Sequence, residues 1–145
     1  MDTGAQTFAN HRRFFPLYHF FAFPILTINV FVAGWSLVRT PSAQAAWWLI
    51  VSLALAVLAL ASRTSTLIVQ NRLIGLEMRL RLGAVLPSEL RGRIGDLTLK
   101  QMIGLRFAAD PEIPGLVQRC LAGELTSADD VKRQVKDWRP DFVRA

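Results

Sequence analysis

The side chains able to do chemistry in this chain are few and far apart. There are two histidines, His11 and His19, one cysteine, Cys120, and four acids at expected helix starts, Asp110, Glu112, Asp129 and Asp130. A histidine near a bilayer boundary can ligate haem or a chlorophyll-type pigment through a ring nitrogen, which makes His19 the candidate for a cofactor-binding residue. A single histidine among aromatics near a helix end is more often bonded to backbone or lipid, so no cofactor is expected. One cysteine excludes an internal disulfide and a cysteine cage for a metal. Cys120 reads as a small buried apolar residue. Gly92, Gly95 and Gly104 do not form a nucleotide fingerprint, and no Ser/His/Asp set or zinc-ligand spacing is present. Capping explains the four acids better than metal binding does, so neither a catalytic residue nor a metal ligand is expected, and the chain reads as no enzyme.

The elements that would carry these residues are set by the distribution of charge. Hydrophobic residues make up 52% of the 145. No charged residue occurs from Phe14 to Val38, and after Arg39 the next is Arg63. Each block reaches the ~20 apolar residues needed to cross ~30 Å of hydrocarbon. A soluble domain of this size has too little protein to cover two such helices as core. The expected architecture is an all-α membrane protein. A transmembrane hairpin (residues 17–62, spans 17–38 and 45–62) follows an N-terminal interfacial segment (1–16). The second helix extends into the cytoplasm (63–83), and a small helical C-terminal domain (84–145) completes the chain. His11-Arg12-Arg13 before an apolar run resembles a signal peptide, but the run is too long and a second span follows at once, so no cleavage is expected.

Aromatic and basic residues orient the hairpin. Trp35, Trp47 and Trp48 would share one interface, with Phe14, Phe15, Tyr18 and Phe20 at the other, as an aromatic belt requires. Arg12, Arg13, Arg63, Arg72, Arg79 and Arg81 lie near the membrane on one side and only Arg39 on the other, so the positive-inside rule puts both termini in the cytoplasm. Within the hairpin Asn29, Gly34, Ser52, Ala56 and Ala59, with Thr27, are expected at the helix–helix contact, because an amide at mid-membrane depth needs a partner and small residues let backbones approach. Pro24 is expected to kink the first span, and Ser42 to cap the second helix.

All but three of the 17 Lys and Arg, and all but one of the 11 Asp and Glu, lie beyond residue 62. There is no dense basic stripe of the kind nucleic acid requires. The expected ligand for Arg63, Arg72, Arg79 and Arg81 is anionic lipid. The helix after the second span carries two apolar stripes, Val69, Leu73, Leu76 and Leu80 on one face, and Leu67, Ile74 and Met78 on another. Two stripes need two covers, one from the folded-back tail and the other from a partner protein. Glu77 and Arg81 form an i,i+4 pair. Gly83 is expected to end the helix. Thr98-Leu-Lys-Gln101 is a capping box, Asp110-Pro111-Glu112 a helix start, Gly123 a stop and Thr126 with Asp129 the last start. Trp138 to Asp141 reads as an anchor for the tail rather than a ligand pocket.

Several segments together carry a resemblance: His11 to Pro16, Gln70 to Leu82, Leu97 to Gln101, Leu105 to Pro114 and Val131 to Asp141. The sequence resembles a family of small bacterial two-span membrane proteins classed only as a domain of unknown function. It departs at Asn71, where that pattern tends to have aspartate, and at Gly75, where it tends to have arginine. The resemblance implies the same topology and supplies no catalytic residues. Three roles follow, in this order: an accessory or scaffold subunit docking on a larger membrane complex, by analogy an energy-transducing (photosynthetic or respiratory) one; an autonomous protein binding anionic lipid; and a pigment or haem binder through His19.

Overall fold

The computed structural model describes Phe8 and residues 15–139; the expectations for His11, Arg12, Arg13, Phe14, Pro140 and Asp141 lie outside the described residues. The elements are a π-helical segment (Leu17–Ala22), α1 (Phe23–Arg39), α2 (Ala43–Val85), α3 (Ser88–Arg91), α4 (Leu99–Leu105), α5 (Ile113–Leu121) and α6 (Ala128–Gln134), with short 3₁₀ turns at Ile94–Asp96 and Asp110–Glu112. The described residues form no β-strand. They fall into two compact units, 15–67 and 68–139 with Phe8.

The helix Leu17–Arg39, in the first unit, and Ala43–Val85, which starts there, are each long and apolar enough to cross a membrane. Only 6% and 11% of the residues in their most apolar stretches are buried, so those stretches are not core of this chain. Proline at 24 removes an amide that an α-turn would donate to the Phe20 carbonyl. The residues before it form the π-helical segment, in which the Phe23 amide reaches five residues back to the Tyr18 carbonyl. Ser42 caps α2 as expected, its hydroxyl accepting from the Ala45 amide at 3.0 Å. The two helices are joined at Asn29, whose side-chain amide donates to Ser52 Oγ at 2.7 Å, while Ser52 donates to the Trp48 carbonyl at 2.8 Å. Ser52 is buried.

α2 runs unbroken for 43 residues, about 65 Å at 1.5 Å per residue. Gly75 does not interrupt it, and Gly83 does not end it as expected. The helix continues to Val85, and the Leu86 amide closes on the Leu82 carbonyl at 2.9 Å. A helical glycine costs ~1 kcal/mol against alanine. Leu82 and Leu86, on either side of Gly83, are at most 1% exposed, and fully burying one leucine returns ~1.5–3 kcal/mol, so burial wins.

In the second unit, that end of α2 is the floor of a small core. Ile74, Met78, Leu82 and Leu86 join residues of α4, α5 and α6, among them Met102, Val117 and Val131. The Thr98/Gln101 capping box forms as expected, and Gln101 is more than a cap. Its buried amide nitrogen also donates to the carbonyls of Cys120 at 3.1 Å and Leu125 at 2.7 Å, tying α4 to the end of α5. Gly123, at φ +81°, turns the chain out of α5. The last helix starts one residue later than expected, with Ser127 and Asp130 as the capping box in place of Thr126 and Asp129. The expected start at Asp110 is a 3₁₀ turn whose acids do no capping. α4 and α6 cross at Gly104, where a Cβ would meet the Val131 Cβ at 2.6 Å.

Candidate interaction surface

The two apolar stripes of α2 have different fates within the second unit. Ile74 and Met78 are buried against the tail, and Leu82 extends them. Leu67, the first member of that stripe, stays 39% exposed. Gly75 lies under α4 so closely that a Cβ there would stand 2.9 Å from Leu99 Cδ1. The other stripe is open: Val69, Leu73, Leu76 and Leu80 are 56–71% exposed. A single exposed leucine needs no explanation, whereas a contiguous row on one helix face marks a contact site or a hydrophobic surface left to aggregate. Arg72 and Arg79 flank this row and are exposed, as is Glu77.

Arg81 departs from its expected lipid-facing role. Its side chain is 14% exposed and its donors are used inside the unit. Nε donates to Asp110 Oδ1 at 2.8 Å, and Nη2 donates to the same oxygen at 2.5 Å and to the Ala108 carbonyl at 2.7 Å. Nη1 donates to the Arg106 carbonyl at 3.1 Å. Arg81 therefore pairs with Asp110 and not with Glu77. Its fork closes the loop between α4 and the 3₁₀ turn, whose carbonyls have no helical partners. Asp110, read from sequence as a cap, is the counterion. Glu112 is likewise diverted: its carboxylate accepts from the backbone amides of Lys136 and Asp137 at 3.2–3.3 Å. The segment after α6 is thereby laid along the loop. Ala108 and Trp138 form an isolated antiparallel bridge, and the Trp138 ring lies 5.0 Å from that of Phe107. Trp138 anchors the tail, as expected. Sequence reasoning missed the Arg81–Asp110 pair because 29 residues separate the partners and no local pattern links them.

The other sites are structural in character. His19 Nδ1 lies 3.0 Å from the carbonyl of Phe15, four residues back and just before the helix. The Tyr18 hydroxyl reaches the Ala59 carbonyl at 3.5 Å, and Arg63 lies 5.9 Å over the Tyr18 ring, so Arg63 has an aromatic partner beside its expected lipid contact. Ala56 and Ala59 are half-buried. Gly34 has open space where a Cβ would stand, and Thr27 is exposed with its hydroxyl bonded back to the Phe23 carbonyl at 2.8 Å. Neither is a point of close helix approach; neighbouring Ala33 is the buried position. Cys120 is buried, and desolvation pushes its thiol up to about 11. Among the described residues no group of three or more His, Cys, Asp and Glu is placed to hold a metal ion.

A model of a family described as a family of unknown function (DUF6526) matches residues 1–145. No curated protein and no solved structure matches the chain.

Proposed function

The chain belongs to that family of unknown function, which lends it no activity, and from its own surfaces we propose a non-catalytic accessory or scaffold subunit that docks on a larger membrane complex. In this reading Leu17–Arg39 and the first part of α2 cross a bacterial inner membrane as a hairpin. Both termini are cytoplasmic, and the second unit is the docking module. The observation that carries the reading is the contrast on α2, where one apolar stripe is sealed by the tail and the other, Val69, Leu73, Leu76 and Leu80, lies open. A soluble end-state would leave that row in water at ~25 cal/mol per Å² of apolar surface. The exposed apolar surface of the two long helices favours a bilayer around them in the same way. An energy-transducing assembly remains the analogy of choice for the complex.

The test is a mild-detergent pull-down of the tagged full-length protein from its native membranes, with mass spectrometry and an absorption spectrum of the eluate. A stoichiometric larger partner that is lost when Leu73 and Leu76 become aspartate is the expected result. Recovery of this chain with no foreign partner removes the reading.

A second reading rests on Arg72 and Arg79, exposed and outside every ion pair among the described residues. With Arg63 they would hold anionic headgroups. It predicts salt-sensitive docking on anionic liposomes, and equal binding to neutral ones removes it.

A further inference from the structure

Resting on the reading of the open α2 stripe as a docking face, we infer that its occupant is the same face of a second copy of this chain, paired in parallel.

Val69, Leu73, Leu76 and Leu80 are spaced four, three and four residues apart, the seam of a two-stranded coiled coil. With Val69 and Leu76 at d and Leu73 and Leu80 at a, Arg72 and Arg79 fall at g and Glu77 at e. In a parallel pair, a g residue faces the e residue five positions further along the other helix. Arg72 of one copy then meets Glu77 of the other, twice by two-fold symmetry. The two cannot meet within one chain, because residues five apart are not neighbours on a helix surface. No ion pair among the described residues uses either. Antiparallel pairing would instead set g against g and place arginine opposite arginine.

Insertion in a bilayer supplies what so short a seam lacks. Val69 to Leu80 spans about 17 Å, and isolated helices of that length are marginal in water. Here the helix is already formed, continuous with 43 residues and buttressed by the tail core. Copies inserted with one topology leave the membrane parallel, and confinement to it raises their effective concentration. The docking subunit is then itself a dimer, and the larger complex engages the pair, so a stripe variant that breaks the pair also releases the complex.

The test uses full-length protein in liposomes and in mild detergent. Cys120 can stay, since its buried thiol is pushed up to about 11 and resists reaction at neutral pH. Leu73→Cys and Leu76→Cys should cross-link on oxidation, and Ile68→Cys, exposed on the outer flank, should not. The detergent-corrected mass should be twice the 16.2 kDa of one chain. Arg72→Glu or Glu77→Arg alone should weaken association roughly tenfold, and the two together should restore it. A mass of one chain, equal cross-linking at all three positions, or a double reversal no better than the singles overturns the inference.

Failures of the two readings separate cleanly. A monomer whose stripe variants lose a foreign partner sinks self-pairing and keeps the docking subunit. A dimer with charge-swap rescue and no foreign partner does the reverse.

Discussion

Arg81, near the end of α2, and Asp110, in the turn before α5, form an ion pair at 2.5 Å across 29 residues of sequence. The two ends of the pair are unequal. The arginine side chain is 14% exposed and also serves two backbone carbonyls, while the aspartate side chain is 55% exposed. Arg81→Ala leaves the Arg106 and Ala108 carbonyls without their donor and should cost about 2–3 kcal/mol. Asp110→Ala leaves those bonds in place and removes only a solvent-screened charge, at about 0–1 kcal/mol. Chemical denaturation followed by Trp138 fluorescence, with the other tryptophans replaced by phenylalanine, measures both. Equal losses would show that the ion pair, and not the carbonyl bonds, holds the loop.

Alanine at two tightly placed glycines should separate a rigid contact from a soft one. At Gly104 a Cβ meets the Val131 Cβ at 2.6 Å and the Ala128 carbonyl oxygen at 2.9 Å. The α4–α6 crossing cannot give way cheaply, and Gly104→Ala should destabilise the tail by about 1–3 kcal/mol. At Gly75 the obstacle is only Leu99 Cδ1, the end of a half-exposed flexible side chain. There the ~1 kcal/mol gained in helix propensity should match or exceed the cost. Thermal melts rank the two; a Gly75→Ala loss as large as that of Gly104→Ala would mean that Leu99 cannot move.

Cys120 gives the tail an alkaline limit. Its thiol is pushed up to about 11 by burial, with Arg119 pulling it slightly down, whereas an unfolded thiol ionises near ~8.5. The native state thus favours the protonated form. The stabilisation this gives is complete below the unfolded value and is lost as pH rises from there through about 11. Wild type should lose more stability between pH 8 and pH 10.5 than Cys120→Ala does, by denaturant midpoint. Parallel losses would refute this assignment.

Asn29 and Ser52 should be coupled. Ser52→Ala leaves the Asn29 amide without its partner in the first unit. Hydrogen bonds between membrane helices average ~0.6 kcal/mol and reach ~1.7. A double-mutant cycle with Asn29→Leu, read by a steric-trap or unfolding assay in bicelles, should return a coupling in that range. A value of zero would mean that the helices hold together by packing alone.

Most of what was legible in the sequence is local. Ser42, the Thr98/Gln101 box and the Gly123 stop each depend on a few adjacent residues competing for backbone amides and carbonyls, so a short window contains the whole argument. Charge-free blocks of more than 20 residues likewise declare two apolar helices wherever the rest of the chain lies. Small slips, such as Thr126 for Ser127 and Gly83 for Val85, arise where neighbouring cappers compete or where distant burial outweighs a local breaker. Only the tertiary structure decided which α2 stripe is covered and which acids are caps. Both stripes are apolar and recur at helical spacing, and a helix presents each equally well. The choice is made by where α4 to α6 return. That return is held by Arg81 with Asp110, by Glu112 with the Lys136 and Asp137 amides and by Trp138 on Phe107, contacts between residues far apart in sequence that no periodicity records.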